Sequence, residues 1–242
     1  MKTLNVLSVD FDFFQNVSAD TMIHCYPDGV DLPTELTVMT WSQHYSHEQT
    51  EKRLLEVTPK TDMIEELTTL IHSNCKIKTP VMVANSHVHA YKFIKDLIEK
   101  YDAQHVRIAN IDMHHDCYNG TGELDCGNWI GYAMEDFPDC KVQWIANPTS
   151  KDIYEFTDDE FLPAATDFEP IKNVKFDAVF ICRSDTWLPP HLDEAFNTFL
   201  YDIVAVFPNN FVEKSVQHPR DLTEAVAMQK RIMEEWKVKR CS

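Results

Sequence analysis

The stretch HVRIANIDMHHD, residues 105–116, joins an apolar run to a group of ionisable side chains. Its first part, HVRIANI, is apolar and partly β-branched, which is typical of a strand buried in a parallel sheet. Asp112, His114 and Asp116 follow at alternate positions, where that strand would end. Alternate residues of an extended chain point to the same face, so Asp112 and His114 can present their side chains together, and Asp116 can follow if the chain stays extended. Either a solvated loop or a metal site would explain this group of charges.

Other short apolar runs resemble this strand and alternate with helical patterns. The predicted strands are LNVLSVDF (4–11), PVMVAN (80–85), HVRIANI (105–111), KVQWIA (141–146), FDAVFIC (176–182) and, as an additional candidate, YDIVAVF (201–207). Helical spacing predicts helices over 61–73, 87–100, 192–200 and 221–237. This alternation predicts an α/β fold of three αβα layers around a mostly parallel sheet. We expect a single domain over 1–242, with the polar segment 13–58 as an active-site insertion.

The composition indicates which partners the surface can attract. The net charge is −17, from 22 basic and 39 acidic residues. Such a surface repels nucleic acids and anionic membranes and attracts cations. No apolar run approaches the roughly 18 residues that span a bilayer, and the one at the N-terminus is too short for a signal peptide. The odd number of cysteines, 7, without a CxxC pair favours free thiols in a reducing compartment. We therefore expect a cytoplasmic protein without nucleic-acid or membrane partners.

Ionisable side chains follow four of the predicted strands. In open α/β sheets, ligands bind at the carboxyl ends of the strands, so these side chains are expected to converge. Carboxylates gathered near a core need a cation to offset their desolvation and their mutual repulsion. In chain order, the residues at the strand ends are Asp10, Asp12, His87, His89, Asp112, His114, Asp116 and Asp185.

The types of side chain in this group indicate which metal it would bind. Carboxylates with one or two imidazoles and no thiolate suit Mn²⁺ better than a structural Zn²⁺. So many carboxylates predict two ions that share aspartates. Asp10 and Asp12 would alternatively fit the nucleophile motif of haloacid-dehalogenase-type phosphatases, although the FDFF sequence does not continue as that motif usually does. The predicted metal ligands are Asp10, Asp12, His87, Asp112, His114 and Asp116.

Two of these motifs resemble those of the arginase, or ureohydrolase, family. The Asp-x-His-x-Asp motif of that family is matched by Asp112, His114 and Asp116, and its strand-ending histidine ligand is matched by His87 in VMVANSH. The resemblance is close over about residues 80–131 and loose elsewhere. It implies an arginase- or deacetylase-like fold that holds two Mn²⁺ ions.

The loop after the second motif also resembles the family. GNWIG, residues 127–131, matches the loop in which ureohydrolases hold the polar end of their substrate, which implies that Asn128 contacts substrate. Arginases have a proton-shuttling histidine in this loop, where this chain has Ile130. Another histidine (His24, His44 or His47) would have to supply the proton, or the reaction differs.

The third family motif departs from the expected pattern. Ureohydrolases have a late Asp-x-Asp, whereas CRSDTWLPP offers Asp185 with Trp187 in the second position. An Asp-x-Asp occurs instead in VDFDFF near the N-terminus. We therefore expect Asp10 and Asp12 to complete the metal pair and Asp185 to bind substrate, while the opposite assignment remains open.

This DxDFF signature resembles a divergent branch that includes peptide arginases, which convert arginine side chains of ribosomally made peptides to ornithine during their maturation. The altered loop TGELDCGNW suits a substrate without free termini, and the acidic surface suits a basic peptide. The resemblance implies a dinuclear manganese hydrolase that releases urea, with Asp10 and Asp112 as catalytic residues. The alternatives are a metal-dependent amidohydrolase or deacetylase of the same fold, or a non-catalytic, metal-stabilised peptide-binding protein.

Overall fold

A computed structural model describes residues 1–27, 31–118, 122–154, 163–207, 210–214 and 219–241. The strands are β1 (Thr3–Asp10), β2 (Gln15–Asn16), β3 (Thr58–Pro59), β4 (Val81–Ala84), β5 (His105–Asp112), β6 (Cys140–Ala146), β7 (Ala178–Cys182) and β8 (Phe211–Lys214). The helices are α1 (Ala19–Cys25), α2 (Thr34–Ser46), α3 (Glu48–Leu55), α4 (Thr61–Asn74), α5 (His89–Tyr101), α6 (Trp129–Asp136), α7 (Ser150–Ile153), α8 (Asp193–Val206) and α9 (Thr223–Cys241).

Within the described ranges, six strands form one parallel sheet in the order β6-β5-β1-β7-β4-β8, and β2 pairs with β3 in a short antiparallel ribbon. β1 lies in the interior of the sheet between β5 and β7. A strand in this position is buried on both faces, which explains why LNVLSVDF is a nearly continuous apolar run.

Alternate side chains of β1 enter two separate cores. Leu7 and Val9 pack in one core with Phe199 of α8, whereas Val6 packs in the other with Ile94 of α5 and residues of α6. This alternation follows from the two-residue repeat of a strand. Helices therefore cover the sheet on both faces, and the predicted three-layer α/β fold is confirmed.

One predicted strand is wrong. YDIVAVF (201–207) belongs to α8 up to Val206, because Phe196, Phe199 and Ile203 are buried at helical spacing and attach this run to the core as a helix. The strand beside β4, at one edge of the sheet, is instead β8, which was not predicted from the sequence. Its short sequence FVEK is largely exposed and has no apolar pattern.

The segment 13–58 contributes α1, α2, α3 and the short ribbon strand β2. Trp41 of α2 is fully buried, and its indole N–H donates to the backbone carbonyl of Asp185 at 3.0 Å. The segment therefore packs against the loop that follows β7, at the carboxyl edge of the sheet.

Two expectations from composition concern the whole chain. Among the residues described, no helix has the length and apolar character needed to cross a bilayer. The six cysteines whose side chains are described are free thiols, as the odd number of cysteines predicted.

Truncating the aromatic core under α8 tests this packing. Phe199 is fully buried, 5.6 Å from Phe11 and 5.9 Å from Phe14 between ring centroids. We expect Phe199→Ala to lower the free energy of unfolding by about 3–5 kcal/mol, measured by denaturant titration. Tyr201 on the same helix is 76% exposed, and we expect Tyr201→Ala to change it by no more than about 0.5 kcal/mol. Similar losses in both variants would contradict this orientation of α8.

Candidate metal centre

Strand register brings two of the predicted ligands together. Val9 of β1 pairs with Ile111 of β5, so Asp10 and Asp112 follow side by side at the carboxyl ends of neighbouring strands. Asp12 lies in the 3-10 turn Phe11–Phe14 that follows β1. This edge is where ligands bind in open parallel sheets.

A first group of ligand atoms surrounds the imidazole of His87, just beyond β4. His87 Nδ1 lies 3.3 Å from Asp10 Oδ2, 3.1 Å from Asp112 Oδ2 and 3.1 Å from Asp116 Oδ2. All four side chains are buried. One nitrogen atom and three carboxylate oxygens therefore face a common point away from solvent.

A second group surrounds His114 and shares Asp112 with the first. His114 Nδ1 lies 3.0 Å from Asp12 Oδ2 and 3.7 Å from Asp112 Oδ1. The two oxygens of Asp112 thus face different imidazoles. The sets Asp10–His87–Asp112 and Asp12–Asp112–His114 each bring their ligand atoms within 4.8 Å of one another, close enough to hold a metal ion.

Two buried atoms of these groups make close contacts that lack hydrogen-bond alignment. His87 Nδ1 and Asp12 Oδ2 have no hydrogen-bond partner among the described residues, although carboxylate or imidazole atoms lie about 3 Å away. Leaving such atoms unsatisfied in a protein interior costs about 1–3 kcal/mol each. A cation in each group would satisfy these atoms, so the residues fit metal ions.

Neighbouring polar groups orient these ligands. Ser8 Oγ lies 2.7 Å from His87 Nε2, which leaves Nδ1 directed at the carboxylates. The Trp129 indole N–H donates to Asp116 Oδ2 at 2.6 Å, and the backbone N–H of His114 donates to Asp112 Oδ1 at 2.8 Å. Supporting hydrogen bonds of this kind are typical around metal ligands because they hold the side chains in place before the ion arrives.

The pKa shifts show how unevenly this centre is charged without a cation. Burial, together with the negative charges of Asp10 and Asp112, raises the pKa of Asp12 to about 8. Burial also acts to raise the pKa of Asp112, but the imidazoles of His114 and His87 outweigh it and hold that pKa well below its usual range. The metal-free centre must therefore take up protons, which a bound cation would displace.

Asp116 reaches the centre by a different route from the one expected. Asp116 was expected to face the same way as Asp112 and His114 if the chain stayed extended, but β5 ends at Asp112. Asp116 has a left-handed backbone with φ 53°, a conformation that aspartate tolerates better than most residues. The turn carries its carboxylate back towards His87.

The two predicted substrate contacts, Asp185 and Asn128, are engaged within the protein. Asp185 is buried, and its carboxylate accepts from Arg183 Nε at 2.5 Å and from the Arg183 terminal nitrogen at 3.0 Å. Asn128 accepts from the backbone N–H of Asp125 and donates to the carbonyl of Glu123, so it closes its own loop. Both side chains have structural roles here.

The histidines considered as proton shuttles lie elsewhere. His24 contacts Asp20 on α1, His44 contacts the ring of Trp41, and His47 precedes α3. Ile130, at the position of the arginase shuttle, is buried in the core beneath α5. Among the described residues that line the cleft over the metal centre, the imidazoles are those of His87 and His114.

That cleft has a volume of about 560 Å³, and its lining includes residues that were not predicted as site residues. These are Asp31, Tyr118, Asp125, Cys126, Ser184 and Trp187. Asp125 and Cys126 lie in the loop TGELDCGNW and Trp187 lies in CRSDTWLPP, but nothing in the sequence indicated which side chains of these segments reach the cleft. A groove of about 670 Å³ beside α9 is larger, but among the described residues it contains neither group of metal-ligand atoms.

Comparison with known protein families, with curated proteins and with solved structures finds no match to this chain. The resemblance to arginases therefore rests on the motifs quoted above. What the structure adds is a buried cluster of aspartates and histidines that could hold metal.

Replacing the shared ligand tests the metal centre. We expect Asp112→Asn to lose the bound metal, measured by elemental analysis after equilibration with Mn²⁺, because this carboxylate belongs to both groups. Wild-type protein should be stabilised by added Mn²⁺, by about 2.7 kcal/mol for each ion bound at a hundred times its dissociation constant.

Asp125→Asn is the matched control. Asp125 also lines the cleft but belongs to neither ligand group, so this variant should keep its metal. Unchanged metal content in Asp112→Asn would contradict the site.

Proposed function

We propose that this protein is a dinuclear manganese hydrolase that converts arginine side chains of a peptide to ornithine and releases urea. The observation that supports the proposal most directly is the position of Asp112, whose two oxygens face the two imidazoles. In this proposal His87, Asp10 and Asp116 hold one ion with Asp112, and Asp12 and His114 hold the other with Asp112. The proposal assigns the catalytic roles to Asp10 and Asp112.

The ligand set favours two hard divalent ions. It is rich in carboxylate oxygens, has one imidazole in each group and contains no thiolate, which suits Mn²⁺ better than a structural zinc ion. When bound, a pair of such ions supplies Lewis acidity and makes water a nucleophile at neutral pH.

The charges of the cleft favour a cationic substrate. Beyond the metal ligands, the cleft contains Asp31 and Asp125, and its described lining includes neither lysine nor arginine. Ser86 donates a hydrogen bond to Asp31, and the backbone N–H of Gly127 donates to Asp125 at 2.9 Å, so both carboxylates are oriented. Burial raises the pKa of Asp31 to about 6, which still leaves it ionised at neutral pH. A guanidinium group matches such carboxylates through charge-assisted hydrogen bonds.

Aromatic rings complete the cleft. Trp187 and Tyr118 line it together with the acidic groups, and flat guanidinium groups stack well on aromatic faces. In the proposed reaction, water adds to the guanidinium carbon and the bond to the side-chain nitrogen breaks. A proton passes to that nitrogen, so that the products are ornithine and urea.

A peptide substrate follows from the motif resemblance and from the charge of the chain. The net charge of −17 attracts a basic peptide over long distances. The residues before α2, which include Asp31, bring the segment 13–58 to the rim of the cleft.

Urea release tests the reaction. Metal-free protein should release no urea from an arginine-containing peptide, and Mn²⁺ should restore release together with a mass loss of about 42 Da per modified arginine, as the chemistry of amidine removal requires. A lysine-containing peptide of the same sequence is the control. Metal binding without urea release across varied peptides would overturn the substrate assignment. One tightly bound Zn²⁺ with acetate release from acylated amines would favour the deacetylase alternative.

Removing one charge of the cleft tests how the guanidinium is held. We expect Asp31→Asn to raise KM for the peptide by roughly 10-fold or more, since a hydrogen bond to a charged group contributes about 1.5–3 kcal/mol. Metal content should stay unchanged. The control is Asp96→Asn, which removes the same charge from an exposed pair with Lys92 on α5. An equal effect of both variants would indicate a general charge effect.

A further inference from the structure

Beside the metal centre lies a buried ionic network that the proposed reaction does not use. Arg183 binds Asp185, and Arg220 binds Asp193 with its terminal nitrogen 2.6 Å from Asp193 Oδ1 and its Nε 3.0 Å from Oδ2. Arg183 also lies 4.0 Å from Asp193. The two arginines balance the two aspartates, which makes their burial tolerable.

Arg220 does more than neutralise Asp193. Its guanidinium also donates to the backbone carbonyl of Asp185 and, at 2.8 Å, to that of Leu188. These two carbonyls lie at opposite ends of a tight turn after β7. One planar side chain therefore holds both ends of this turn while its other donors are bound to Asp193.

The turn contains Trp187, which packs against a histidine of the metal centre. Trp187 lies between the two anchored carbonyls, and its ring centroid is 4.8 Å from that of His114. Gln15 donates to the Trp187 carbonyl at 3.0 Å. Ser184, at the start of the turn, has a left-handed backbone with φ 60°, which persists only where surrounding contacts impose it.

We propose that Arg220 is a positioning residue that holds Trp187 against His114 and so keeps the ligand group Asp12–His114–Asp112 ready for its cation. The proposal rests on the metal centre and not on the identity of the substrate. His114 is the ligand whose imidazole is least buried, with 14% of its side chain exposed, so it depends most on a neighbouring ring for its orientation. His87 is held instead by Ser8 and by the rings of Trp129 and Phe180, which do not belong to this turn.

Lysine cannot replace arginine in this role. An ammonium group is a compact point charge, whereas the guanidinium has the planar fork of donors that reaches Asp193 and two carbonyls at once. Arg220→Lys keeps the charge balance of the network and releases one or both ends of the turn.

The test is Mn²⁺ titration of the metal-free full-length protein by calorimetry, which resolves two binding steps. The first ion is here the one held by the group of His87, and the second ion is the one held by the group of His114. In both Arg220→Lys and Trp187→Ala we expect the second ion to bind about 10- to 100-fold more weakly, which is the usual effect of removing support from a metal ligand. The affinity for the first ion should be unchanged. The double variant should be no worse than either single variant, because both act on His114 by the same route.

The control is Arg107→Lys. Arg107 binds Asp139 near the amino ends of β5 and β6, at the edge of the sheet opposite to the metal centre. This variant should leave both ions unchanged. The proposal is overturned if Arg220→Lys leaves both affinities intact, or if both ions weaken equally, as a general loss of structure would cause. Should Arg220→Lys fail to fold, an unchanged second ion in Trp187→Ala would overturn it. A wild-type protein that binds fewer than two ions overturns it as well, while urea release has no bearing on the result.

Discussion

Burial of like charges at the carboxyl edge of one parallel sheet is the constraint around which this molecule is organised. The pairing of β1 with β5 places Asp10 beside Asp112, and the turn after β1 adds Asp12. Each of these carboxylates is almost completely removed from water. An unpaired charge in the protein interior costs several kcal/mol. Two imidazoles offset part of this cost. His87 Nδ1 and Asp12 Oδ2 have no hydrogen-bond partner among the described residues, and each belongs to a group of atoms that could hold a metal ion.

The acids near this edge divide into two classes by how they are compensated. Asp185 and Asp193 are bound by the protein's own arginines, so they stabilise the loop after β7 and have no charge to offer a ligand. Asp31 and Asp125 have hydrogen-bond donors but no basic side chain beside them among the described lining of the cleft. The negative charge near this edge that is not neutralised by arginines is therefore concentrated in the cleft. We propose that this edge binds metal ions at its base and a cationic group at its entrance.

The backbone around the centre contains uncommon conformations. Asp116 and Ser184 both have a left-handed φ, and each lies in a turn that brings a side chain or a wall to the cleft. Residues held in this region cost free energy that the surrounding structure must repay. The hydrogen bond from Trp129 stabilises the turn at Asp116, and the hydrogen bonds from Arg220 stabilise the turn after Ser184. Rigid support of this kind keeps metal ligands in position, which a flexible loop could not do.

Local patterns in the sequence were sufficient to predict five of the six strands of the sheet, the helices α4, α5, α8 and α9, and the gathering of aspartates and histidines at the strand ends. Strand periodicity and the placement of polar residues after a strand are properties of neighbouring residues. They were insufficient for YDIVAVF, because its apolar residues suit a strand and a buried helix equally. Packing of α8 against the core determines that this segment is helical. They also could not identify Asp31 in the cleft or the contacts of Arg220 with Asp193 and the turn after β7. Those roles depend on contacts between residues far apart in the chain, and only the folded structure decides which distant group each side chain meets.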